Sequence, residues 1–100
     1  YEAFIKVKGA ERVESFKIYD RNGNFDFYHY GHLLEGSFRD GVLILSTTSR
    51  IYTFTGQQLE RLAELFSEKK VKAVYEFNAD RFERPTDSKA IIVDVIERED

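Results

Sequence analysis

Short runs rich in β-branched and aromatic residues alternate with polar neighbours through the first half of the chain, the period-two pattern of strands with one covered face. Turn signals at Gly9-Ala10, Asn22-Gly23, Asp40-Gly41 and Thr47-Thr48-Ser49 divide this half into five strands, over 3–8, 13–21, 24–35, 41–47 and 50–55. The period then lengthens. Leu59, Leu62, Ala63 and Phe66 recur at helical spacing and Leu65 widens the apolar stripe. Thr55 and Gln58 have capping-box spacing, and Lys69 and Lys70 suit the negative end of a helix dipole. These signals predict a helix over 56–69 whose wet face carries Glu60, Arg61, Glu64 and Glu68. Two strands follow, VKAVYEF (71–77) and KAIIVDVIE (89–97), joined by the polar loop NADRFERPTDS. The second is almost continuously apolar, which predicts a central strand covered on both faces. The order βββββαββ gives an α+β fold: a single domain, 1–100, with a mainly antiparallel bent sheet or partial barrel of about seven strands and one helix.

The turns assign side chains to faces. A two-residue type I′ turn at Asn22-Gly23 pairs Phe16 with His29, Ile18 with Phe27 and Lys17 with Tyr28. Phe16, Ile18, Phe25, Phe27 and His29 then form a core face, and Ser15, Lys17, Tyr19, Asp26, Tyr28 and Tyr30 the opposite one. The Asp40-Gly41 and Thr48-Ser49 turns pair Phe38 with Leu43, Leu45 with Tyr52 and Leu43 with Phe54, giving a core of Leu34, Phe38, Leu43, Leu45, Tyr52 and Phe54. Odd positions point inward over 25–29 and even ones over 34–38. A one-residue bulge at Gly31 or Gly36 reconciles the two.

Composition narrows the function. Among 100 residues there are nine Phe and six Tyr but no Trp, so rings carry much of the packing. Fifteen basic and eighteen acidic residues give a net charge of −3, without a basic run to neutralise a phosphate backbone. The absence of Cys removes disulfides, thiol nucleophiles and thiolate zinc ligands together. The compartment is left undetermined, leaning to the cytoplasm. No apolar run approaches the roughly 20 residues of a membrane span, and no signal-peptide pattern opens the chain. Tyr1 at the start and the lack of Met point to a mature or excised domain.

Candidate chemistry is sparse. Asp20, Asn22, Asn24 and Asp26 alternate like the early ligands of a calcium loop, but Phe25 and Gly31 stand where that loop needs Gly and a bidentate Glu. A bulge at Gly31 would bring His29 and His32 to one face, the best case for a small metal-binding or hydrolytic site. Zinc wants three or four ligands, and the nearby Glu35 and Asp26 have no recognised spacing. None of Ser37, Ser46, Ser49 and Ser88 occupies a nucleophile elbow, and FTGQQL offers at most an unspecific anion site at Gly56. No catalytic residue, metal site or cofactor is therefore expected. The candidate binding surface is Tyr19, Tyr28 and Tyr30 beside Lys17, together with Phe82 between Arg81 and Arg84 on the long loop. These residues suit a non-enzymatic binding or assembly module acting through a sheet face or strand edge, protein-directed or self-associating as a homodimer. Single-stranded nucleic acid stacking on the tyrosines is the alternative if Lys6, Lys8, Lys17 and Arg21 gather around them; overall acidity argues against it, and no membrane partner is expected.

Overall fold

A computed structural model describes residues 1–100. Eight strands form two four-stranded sheets, accompanied by one helix, so the fold is α+β and mostly antiparallel. Sheet A has the order β1 (Phe4–Lys6), β7 (Val71–Tyr75), β2 (Ser15–Tyr19), β3 (Phe25–His29). Sheet B has the order β4 (Leu33–Arg39), β5 (Val42–Thr47), β6 (Ile51–Gln57), β8 (Ile92–Glu99), and α1 spans Leu59–Ser67. The sheets do not close into a barrel. The one parallel pairing joins β2 to β7.

The inner faces share a core with the helix. Phe16, Ile18 and Tyr28 enter from sheet A, Tyr30 from the turn that follows β3, and Leu43, Leu45, Tyr52 and Phe54 from sheet B. Leu59, Leu62, Leu65 and Phe66 complete it from α1. Each of these helix side chains is at most 2% exposed, and such burial contributes about 2 kcal/mol per residue before chain entropy is counted. Phe16 sits at the junction, its ring 4.8 Å from Tyr30 and 5.4 Å from Phe66. The Tyr30 hydroxyl donates to the Val71 carbonyl at 2.7 Å and accepts from its N–H at 3.1 Å, tying the start of β7 to the core.

The first hairpin differs from the expected one. Gly23 N–H donates to the Asp20 carbonyl, and Gly23 takes φ +85°. The Asp20 carboxylate accepts from the N–H groups of Asn22 and Asn24. The tip is thus Arg21-Asn22-Gly23, a type I turn closed by a left-handed glycine, instead of a two-residue I′ turn. The extra residue slips the register by one: Phe16 pairs with Tyr28, Lys17 with Phe27 and Tyr19 with Phe25. Because alternation is strict, the whole of β3 turns over. Tyr28 and Tyr30 are core, while Phe25, Phe27 and His29 face outward.

The other two hairpins follow expectation, with Asp40 and Gly41 both at positive φ, Phe38 opposite Leu43, and Leu45 opposite Tyr52. The expected kink falls at Gly31, as a single 3₁₀ turn over Tyr30–His32 that splits the predicted 24–35 strand in two. A further register irregularity between Leu33 and Glu35 leaves Leu34 65% exposed and outside the core. β8 is an edge strand and not the central one predicted. Its apolar start, Ile92 and Val93, is buried beneath neighbouring segments, but Val95 is partly exposed. Gln58 is left-handed and no side chain caps α1, so the capping box does not form. β6 instead runs on to Gln57, with Gly56 against β8: a Cβ there would lie 1.9 Å from the Ile92 carbonyl oxygen.

Candidate functional site

The outer face of sheet A carries the exposed rings. Tyr19 on β2 lies opposite Phe25 on β3 and level with Tyr75 on β7. Lys17 lies opposite Phe27 and level with Ala73, which pairs with Ile5 on β1. Tyr75 stacks on Tyr19 at 4.7 Å and 18°, Tyr19 meets Phe25 at 4.9 Å, and Phe25 meets Phe27 at 6.4 Å. Lys17 Nζ stands 5.2 Å from the Phe25 ring centre, where the ring quadrupole favours a cation. Phe27 is 71% exposed, Phe25 47% and Ile5 42%. A contiguous row of this kind, exposed at Phe25 and Phe27 and half-buried at Tyr19 and Tyr75, signals a binding surface more than scattered single residues do.

Beside the row lies a cleft of about 530 Å³, within the range usual for ligand or side-chain pockets, bounded by Tyr19, Tyr75, Tyr1, Phe82 and Arg81. Phe82 is 41% exposed, 5.8 Å from Tyr1, with the Arg81 guanidinium 5.6 Å from its ring centre. Burial pushes the Tyr1 hydroxyl up to about 12, its bond to the Val93 backbone offsetting only part of that. Arg84 points elsewhere and is ion-paired with Asp94.

Arg21 and Glu76 lie at the inner side of the cleft. Glu76 accepts from Arg21 N at 2.8 Å, from Arg21 Nε and Nη2 at 3.2 and 3.1 Å, and from Ile96 N at 2.8 Å. Burial alone would raise its pKa, but the Arg21 bonds and the two backbone N–H groups outweigh it and hold the carboxylate below its ordinary range. Arg21 is therefore committed to Glu76, and of Lys6, Lys8, Lys17 and Arg21 only Lys17 stands over a ring of the row, that of Phe25.

A second polar cluster joins the sheets. Arg50 Nη1 approaches the Tyr28 hydroxyl at 3.5 Å, Tyr28 and Tyr52 share a 2.5 Å hydrogen bond, and Tyr52 donates to Asp26 at 2.5 Å. Arg98 Nε reaches the same Asp26 oxygen at 2.8 Å, while Asp100 accepts from Arg50 at 2.6 Å. With Tyr52 donating to Asp26, the shared bond runs from Tyr28 to Tyr52. Burial raises the Tyr52 pKa, and donation to Asp26 raises it further. Burial acts against ionisation of Asp26 as well, yet Tyr52 and the arginines outweigh it and lower its pKa. No buried side-chain polar atom lacks a partner, and this network braces β3 against β6 and β8.

Of the predicted surface, the structure brings together Lys17 and Tyr19, with Arg81 and Phe82 across the cleft. Tyr28 and Tyr30 are excluded by the slipped register, and Arg84 by its ion pair. Phe25, Phe27 and Tyr75 take their place on this face. The signal for the first two was Asp20, two residues before Asn22, which turns an Asn-Gly reversal into a three-residue loop. His29 and His32 share a side as expected, their rings 6.2 Å apart and both exposed, but no third His, Asp or Glu groups with them. The calcium-like residues do not converge: Asp20 is spent on its own loop and Asp26 turns inward to Tyr52. Gly56 lies in a strand and forms no anion-binding helix end. Comparison with family models, curated proteins and solved structures returned no match.

Proposed function

We propose that this chain is a non-enzymatic binding and assembly module whose partner is a protein offering an extended strand to the outer face and free edge of sheet A. The observation that carries the reading is the position of the most exposed ring, Phe27, on β3 at the end of the sheet order, continuous with Phe25, Tyr19 and Tyr75. Strand addition takes affinity from main-chain hydrogen bonds and specificity from side-chain contacts beside the edge; the ring row, which begins on β3, supplies the second. Rigid aromatic side chains lose little entropy on ordering, which makes them effective anchors. The polar clusters support the same reading, because every buried side-chain donor and acceptor in them is satisfied within the chain.

Selection of displayed peptides tests this. Peptides that bind the wild-type chain should lose binding to a Phe25→Ser/Phe27→Ser variant and keep it for Ile51→Ser on sheet B, with thermal stability unchanged in both. Binders that ignore the double substitution would refute the reading. So would tight binding of a labelled oligothymidylate that weakens steeply with salt, the outcome expected if these rings stack on bases.

A further inference from the structure

The two sheets expose four edges, and three are protected. β1 is only three residues long. β8 is covered: the Val93 carbonyl accepts from Phe77 N–H at 2.7 Å, its N–H donates to the Tyr1 hydroxyl at 3.3 Å, and Ile96 N–H is held by Glu76. β4 carries Glu35 and Arg39, contains an irregularity at Leu33/Glu35 and packs against α1. Short length, cover, charge and bulges are the usual guards against edge-to-edge pairing. β3 has neither cover nor bulge: FDFYH is five residues of regular strand without Lys or Pro, and its one charge, Asp26, is ion-paired with Arg98.

The main-chain groups that β3 leaves free can be named. Asp20 N–H donates to Asn24 and Tyr30 N–H to Glu14, so hydrogen-bonded pairs with β2 fall on the even positions. The N–H and C=O groups of Asp26 and Tyr28 are used within the sheet. Those of Phe25, Phe27 and His29 point out of it, and the first two of these residues also carry the exposed end of the ring row.

Resting on the strand-addition reading above, we infer that the strand received is β3 of a second copy, joined antiparallel about a two-fold axis at Phe27. Phe27 then lies opposite Phe27 of the second copy and Phe25 opposite His29 of that copy, each as a hydrogen-bonded pair. On the inner face, Asp26 comes opposite Tyr28 of the second copy. No like charges oppose each other in this arrangement, and it is the register that uses the whole strand. Centring on Phe25 would place Phe27 against Gly23, in the turn. The interface is isologous, and the two sheets A merge into one continuous sheet with both ring rows on the same side.

Sedimentation velocity combined with a spin-label distance tests the inference, since the Cys-free chain takes a single engineered thiol. The wild-type chain should dimerise reversibly with concentration. Ser15→Cys labels, one strand in from the edge, should lie about 20 Å apart between Cα atoms, from strand spacing and rise. Phe27→Pro removes one outward N–H without touching the β2 ladder, and Phe27→Lys sets two cations on the axis. Each should weaken the dimer about tenfold or more. If the proline variant fails to fold, the lysine variant decides. A strict monomer up to about 1 mM overturns the inference; peptide binding lost on Phe25→Ser/Phe27→Ser would still uphold the wider reading. A dimer with label separation far beyond 20 Å, or indifferent to both Phe27 variants, overturns it as well.

Discussion

At the scale of single residues, Glu76 shows how a buried charge is retained. One carboxylate serves Arg21, from the tip of the β2–β3 hairpin, and the backbone of β8, holding segments of both sheets. Its folded pKa lies below its unfolded one, so its contribution is complete above about pH 5 and drains away as pH falls through the acid range below about 4. Glu76→Gln keeps the shape and removes the charge, and should cost roughly 2 kcal/mol at pH 7. Urea denaturation at pH 7 and pH 3 should show the gap between wild type and variant narrowing at the lower pH; an equal gap at both would mean that the charge is not the source. Little of this could be read from the chain, because the partners are 55 and 20 residues away. The outward aim of Lys17 and Tyr19 could be read, because it follows from alternation within β2 alone.

At the scale of elements, turns whose backbone settles their own geometry were legible. Asp40-Gly41 closes β4 and β5 as two left-handed residues, and the face assignment of Leu43, Leu45, Tyr52 and Phe54 followed. Where a side chain enters the turn, the same rule fails: the Asp20 carboxylate lengthens the first reversal by one residue and turns β3 over. The buried stripe of α1 was equally plain, but its ends were not. The helix stops in a Schellman motif, with Lys70 N–H to the Leu65 carbonyl, Lys69 N–H to the Phe66 carbonyl, and Lys69 itself at φ +59°. Glycine is the usual occupant of that position. Lys69→Gly should therefore stabilise the chain by about 0.5–1 kcal/mol, the relief of left-handed strain less the added flexibility of the unfolded chain, measured as a rise in the denaturation midpoint.

At the scale of the whole molecule, the sheets are joined along one side by the Arg50–Tyr28–Tyr52–Asp26–Arg98 brace and not by barrel closure. Tyr52→Phe keeps the ring in the core and deletes the central hydroxyl, leaving the Tyr28 O–H without its acceptor and Asp26 with Arg98 as its remaining donor. The expected loss is about 1–2 kcal/mol in chemical denaturation, with faster amide exchange in β3 than in β5; uniform exchange would mean that the brace is not local. The pairing of β2 with β7 has a different consequence. Both neighbours of β7 in sheet A, β1 and β2, emerge from the ribosome long before residue 71 does. Until that strand arrives, the amino-terminal arm has nothing to lie against and the β2–β3 hairpin hangs open on both flanks. Synthesis that stalls at α1 would thus release a fragment whose β4–β5–β6 meander lacks β8 and whose other sheet lacks β7, a substrate for proteases before it is a protein.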